Sequence, residues 1–189
     1  MIRSQHCWCS GISVFSSPKQ QSPACQQAGN NSVPFYTKLA SQNLAKMTAN
    51  KSDSIIKEVK TVSDELANSS EKAQLDSFLS YYDNSPDFLH ISSDGKMKNY
   101  EEFKKICSEY YTSLKQQKLF TITEKFNVID TSLVITGWTG NIIAQFKNGD
   151  TMTLNNYSIT NVFKTIDGKW KIIHSHESSQ PPEIKKSKS

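Results

Sequence analysis

His174 and His176 stand two residues apart in the run Lys169 to His176, whose β-branched and aromatic content reads as a strand. Residues two apart on a strand share a face, and imidazole titrates near neutral pH. On a concave surface such a pair supplies a general base and a hydrogen-bond donor, the equipment for proton transfer or for adding and eliminating water. On the other surface it shapes a strand end or a dimer contact. Tyr82 closes a helical stripe with Phe78 and Leu79, so it is either an inward hydroxyl donor or a core aromatic. Trp138 sits between Gly137 and Gly140, and Tyr157 and Asn161 share strand parity. If their face is the concave one, they line a ligand site with an apolar body and polar tips. The opposite parity would bury Leu154 and Val162 there instead. His90, in the short extended run Asp87 to Ile91, is a further lining residue. It would be a third metal ligand only if it met the histidine pair. Cys7-Trp8-Cys9 lacks a second ligand pair at zinc-site spacing. Neither a metal nor a cofactor is expected.

These residues need elements to carry them. Ile55, Ile56, Val59, Val62 and Leu66 recur at helical spacing, with Asp53 or Ser54 as N-cap. Ser69 or Ser70 is expected to cap a second helix reaching Tyr82, which Asp83-Asn84-Ser85-Pro86 then breaks. Tyr100, Phe103, Ile106, Cys107, Tyr110 and Leu114 mark a third helix. Beyond Lys118 four long strands are expected over residues 119–129, 133–146, 151–165 and 169–176. Asn148-Gly149 and Asp167-Gly168 read as hairpin turns of the primed type. Long strands twist, and glycines in mid-strand at Gly137 and Gly140 mark bends. The expected fold is α+β: a cone-shaped, curved antiparallel sheet of one short and four long strands. Three N-terminal helices cover its concave side and leave a pocket for a small apolar or amphipathic molecule.

The expected domain covers residues 53–182. Residues 1–50 read as a disordered leader rich in Ser, Gln and Asn, either a targeting segment or dispensable if Met47 is the working start. Residues 183–189 read as a solvated basic tail. Cytoplasmic residence is expected, or a mitochondrial or other organellar one if residues 1–46 form a transit peptide. Four basic residues and no Asp or Glu precede Met47, whereas the remainder carries 18 residues of each sign. A neutral domain lacks the basic face that nucleic acid needs. No apolar run of spanning length is present, so no membrane partner is expected.

The element order and the segment Asp167-Gly168-Lys169-Trp170-Lys171-Ile172-Ile173-His174-Ser175-His176-Glu177 resemble the nuclear transport factor 2-like superfamily. The chain is most similar there to SnoaL-like domains and to the association domain of calcium/calmodulin-dependent protein kinase II. Phe88 to Lys96 resembles the first strand and turn of those domains. The resemblance implies the cone fold, a pocket, and a homodimer or higher homo-oligomer. It leaves two functions, ligand binding with proton transfer or water elimination, or a non-catalytic association module. Ketosteroid isomerases of this fold place an acidic base near the end of the first strand, where this chain has Ile91-Ser92-Ser93. The association domain carries an arginine where this chain has Asn161.

Overall fold

The computed structural model describes residues 35–187. A first helix, α1 (Phe35–Glu71), buries Ile55 and Val59 and packs Val62 and Leu66 against the same core. This is the stripe expected from the sequence, but the helix begins well upstream of Asp53. The expected leader lies outside the described residues as far as residue 34, and α1 runs through the rest of it. The C-terminal end also differs. Ser69 and Ser70 do not start a new helix. They belong to the last turn of α1, where Ala73 N donates to Ser70 O at 3.0 Å and Gln74 N to Ser69 O at 2.9 Å. With Ala73 at φ 51°, this pair of bonds is the left-handed closure that glycine usually makes. Only a five-residue helix, α2 (Leu75–Leu79), follows.

The strand β1 (Leu89–Ile91) and the two-residue β2 (Met97–Lys98) form a small antiparallel pair around the Ser92–Gly95 turn. The third helix, α3 (Tyr100–Ser113), opens on a reciprocal cap. Asn99 Oδ1 accepts from Glu102 N and Glu102 Oε2 from Asn99 N, each at 3.0 Å, which satisfies two otherwise orphaned donors. Phe103, Cys107 and Tyr111 form its buried stripe.

The long strands are β3 (Leu114–Val128), β4 (Leu133–Phe146), β5 (Thr151–Ile166) and β6 (Lys169–Ser178). The sheet order is β2-β1-β6-β5-β4-β3, antiparallel except for the parallel β1–β6 pair. The Asp167-Gly168 turn has positive φ at both residues (50° and 73°), the primed geometry expected. At Asn148-Gly149 only the glycine is left-handed (φ 88°). Phe146 N bonds Asp150 O and Gly149 N bonds Phe146 O, so this hairpin carries one residue more than the primed turn expected there.

Register shifts fall between Thr121 and Thr123, between Gly140 and Ile142, and between Val162 and Phe163. Each is a bulge that raises local twist and bends the sheet. Together they curl it around α1, α2 and α3. The expected bend at Gly140 coincides with one of them; Gly137 pairs regularly with Lys125 and Thr160. The tail is not simply solvated. Glu183–Lys185 form β7, paired with Thr151–Thr153 of β5. Asp150 holds it there, accepting from Lys186 Nζ at 2.9 Å and Ser187 N at 3.0 Å. No helix among the described residues is long and apolar enough to cross a membrane.

Candidate functional site

The inner face of the sheet can be followed rung by rung. At the closed end Val128, Val134, Phe163 and Ile172 are register partners across β3 to β6. The last three are completely buried. One step along the same strands the partners are Phe126, Thr136, Asn161 and Ser175, continued by His90 on β1 and Lys98 on β2. Thr136, Asn161, Ser175 and His90 are all buried. The next rung is Glu124, Trp138, Ile159 and Glu177.

The β5–β6 bulge decides what faces inward. Phe163 pairs with Ile172 but Val162 pairs with His174, so Ile173 is the extra residue. Under strict alternation Ile172, His174 and His176 would share a face. The inserted residue reverses the parity, and Ser175 and Glu177 join Ile172 on the inner face instead. His174 and His176 are thereby turned to the outer face, level with Val162 and Thr160 of β5 and with Leu89 and Ile91 of β1. Sequence reasoning singled out the two histidines and passed over Ser175 and Glu177. The alternation of small polar and charged residues after Ile172 was visible, but the bulge that inverts it was not.

Of the other expected residues, Asn161 and His90 flank Ser175 on one rung and Trp138 meets Tyr157, whereas Tyr82 packs among aromatics of α2 and α3. Tyr82 is buried against Phe78, Phe88 and Phe103. It is held to β6 by Ile172 N donating to Tyr81 O at 2.8 Å and Asp83 N to Ile172 O at 2.9 Å. Trp138 lies flat over Gly140. A Cβ at Gly140 would come within 2.4 Å of Trp138 Cη2 and Cζ2 and of the Phe120 carbonyl. Glycine is therefore required here for close approach, and the indole crosses it to donate to Thr121 Oγ1 at 2.9 Å. Tyr157 meets the indole edge-on, with 6.3 Å between ring centroids.

The electrostatics of this region follow from burial. His90 packs on Phe103 of α3 at 4.6 Å between ring centroids. Its Nε2 lies 3.9 Å from Glu177 Oε1. Burial, then the Lys98 charge and the neighbouring His174 and His176, push the imidazole down to about 4, so it is neutral at pH 7. Burial raises the Glu177 carboxyl above its ordinary range, opposed by the Tyr157 hydroxyl and the Lys98 charge. Burial also raises the Tyr157 and Tyr82 phenols well above theirs. A carboxyl shifted toward neutrality beside neutral donors is the usual preparation for acid–base work.

Three buried atoms in this region have no hydrogen-bond partner among the described residues: His90 Nδ1, Asn161 Oδ1 and Ser175 Oγ. They belong to side chains on one rung of three adjacent strands. Each such orphan costs about 1–3 kcal/mol. Two surface grooves of about 610 and 540 Å³ lie at the opposite end, either side of the Asp167-Gly168 turn. Two polar side chains there have partners: Lys171 Nζ donates to Ser80 O, and Trp170 Nε1 donates to Glu58 at 3.0 Å. Size alone favours the grooves, but the buried atoms without a partner lie on the polar rung. Among the described residues no group of three or more His, Cys, Asp or Glu is placed to hold a metal ion.

A family model for SnoaL-like domains matches residues 59–182, well over half of the chain. The chain belongs to the SnoaL-like domain family. This SnoaL-like chain has no match among curated proteins, but many solved structures share its fold. A candidate scytalone dehydratase from Novosphingobium aromaticivorans superposes with a TM-score of 0.64 at 7% identity, over 75% of this chain and 94% of its own. A type 2 hexachlorocyclohexane dehydrochlorinase gives 0.57 at 10% identity, over 75% and 92%. A candidate calcium/calmodulin-dependent protein kinase II association domain from Xanthomonas campestris gives 0.56 at 19% identity, over 66% and 86%. At these identities the likeness is one of fold.

Proposed function

We propose that this SnoaL-like domain binds a small amphipathic molecule on the inner face of its sheet and acts on it by proton transfer or water elimination. The observation that carries the reading is the buried rung of Asn161, Ser175 and His90, unsatisfied and next to Glu177. Trp138, Tyr157 and Tyr82 supply the apolar walls. Glu177 is the acid–base group, replacing His174 and His176 in that role because it shares the face of the unsatisfied rung. Its carboxylate takes a proton from a carbon of the ligand, and the neutral Tyr157 hydroxyl and His90 imidazole donate to the oxygen on which charge gathers. The dehydratase and dehydrochlorinase named above carry out eliminations by name, which suits this chemistry.

The test is a thermal-shift screen of the full chain against hydroxylated ring compounds, with Glu177→Gln, Asn161→Leu and His174→Ala/His176→Ala alongside. Stabilisation by a compound should survive in the double histidine variant and vanish in Asn161→Leu. Turnover of that compound should vanish in Glu177→Gln. Stabilisation lost only in the histidine variant would return the site to the outer face.

The outer face favours a second role, self-association. Ile135 and Ile143 of β4 are 36% and 39% exposed there, in line with Val162 of β5. A homodimer through this surface predicts that Ile135→Lys shifts the sedimentation coefficient to that of a monomer. An assembly module without catalysis predicts higher oligomers and no ligand-induced stabilisation.

A further inference from the structure

The polar rung extends past His90 to Lys98. Lys98 is the register partner of His90 in the β1–β2 pair, and directly opposed residues on adjacent strands project to the same face. β2 is the outermost strand of the sheet, so a lysine there could extend into water at little cost. Instead its side chain is only 14% exposed. The Nζ donates to Ser92 Oγ at 2.5 Å and lies 3.7 Å from Asp94 Oδ1. That carboxylate is already committed. It holds Lys96 Nζ at 2.9 Å and accepts from Lys96 N at 3.1 Å and from Ser92 Oγ at 2.6 Å. Lys98 is therefore a largely covered cation that shares its nearby carboxylate, Asp94, with Lys96, and it stands at the end of the row that carries the unsatisfied polar atoms. A covered charge with incomplete pairing is expensive, and a ligand that completes the pairing recovers the cost.

We infer that the ligand of the inner face is an organic acid, its anionic oxygens met by Lys98 and His90 and its apolar body laid toward Trp138 and Tyr157. This rests on the inner-face reading proposed above and adds the charge of the ligand to it. The surroundings are consistent with that charge. The Lys98 field already acts on both His90 and Glu177, so it reaches the place where the oxygens would sit. His90, being neutral, offers hydrogen bonds without a competing charge. The next inner rung carries two acids: Glu124 is engaged by Lys60 Nζ at 3.4 Å, and Glu177 lies within reach of the Lys98 charge.

The experiment uses two probes of one shape, 2-naphthoate and 2-naphthamide, titrated calorimetrically into the full-length protein at pH 7. Wild type should prefer the carboxylate by about tenfold or more, a modest value for one incompletely screened charge pair. Lys98→Met should bring the two probes to parity, and Lys98→Arg should keep the preference. The preference should also shrink as salt is raised. Equal or tighter binding of the amide by wild type overturns the inference, as does an unchanged preference in Lys98→Met. If the amide binds and Asn161→Leu abolishes that binding, the inner-face reading survives and only the ligand charge is wrong. Binding of neither probe overturns both. Lys98→Gln provides a second neutral variant should Lys98→Met fail to fold.

Discussion

Two neighbouring rungs of one sheet, two residues apart on β4 and β5 and three apart across the bulge of β6, have opposite characters. The rung of Val134, Phe163 and Ile172 is dry, filled and fully buried. The rung of Thr136, Asn161, Ser175 and His90 is nearly as buried yet leaves three polar atoms without partners. Backbone and location are shared, so the difference lies in side-chain choice. The first rung is built for stability alone. The second gives up stability in a place where apolar residues would fit, and such local inconsistency is the usual mark of a functional site.

The largest effect should come from the dry rung. Phe163→Ala leaves a cavity at the closed end and is expected to cost about 3–5 kcal/mol in urea unfolding, with little effect on which ligands bind. A loss below about 1 kcal/mol would mean that this rung does not anchor the fold.

His90 links the polar rung to pH. Its folded-state value of about 4 lies below the ordinary 6.5, so protonation favours the unfolded chain. Its contribution is intact above pH 6.5, declines as pH falls, and levels off near 4, to a limit of about 3 kcal/mol. Glu177 acts with the opposite sign, because its raised value makes protonation favour the folded state. Comparing wild type with His90→Phe at several pH values largely cancels Glu177 and leaves the imidazole. The gap in unfolding free energy should open between pH 6.5 and 4. A constant gap would show that the imidazole is not held neutral.

The smallest effect separates the rungs most sharply. Ser175→Ala removes an unpartnered hydroxyl and should raise stability by about 1 kcal/mol while weakening ligand binding. A clear loss of stability would mean that this hydroxyl already has a partner in the folded protein, and the contrast between the rungs would narrow.

Most of the scaffold was legible because its punctuation is strong. Asp167-Gly168 and Asn148-Gly149 delimit strands that fall within a few residues of expectation, and the stripe Ile55, Val59, Val62 gave the buried face of α1. The end of α1 was hidden because alanine occupies the left-handed position where glycine would have announced it. Ala73→Gly should relieve about 1 kcal/mol there. The tail strand β7 was hidden because two of its three residues are charged and all three are exposed, so no apolar alternation marks it. At the site, composition was enough to bring forward Tyr82, His90, Trp138, Tyr157 and Asn161. It did not show which face His174 and His176 take, since one inserted residue at Ile173 reverses every side chain after it.

The chain contains three tryptophans, and two of them stand at opposite ends of the comparison. Trp138 lies over Gly140 with its N–H on Thr121, beside the polar rung. Trp170 lies at the closed end with its N–H on Glu58. With Trp8 replaced by phenylalanine, the protein carries a natural fluorophore at the site and a reference fluorophore away from it. Occupation of the inner face would then be visible as a change in emission from one indole against the steady signal of the other, without any label.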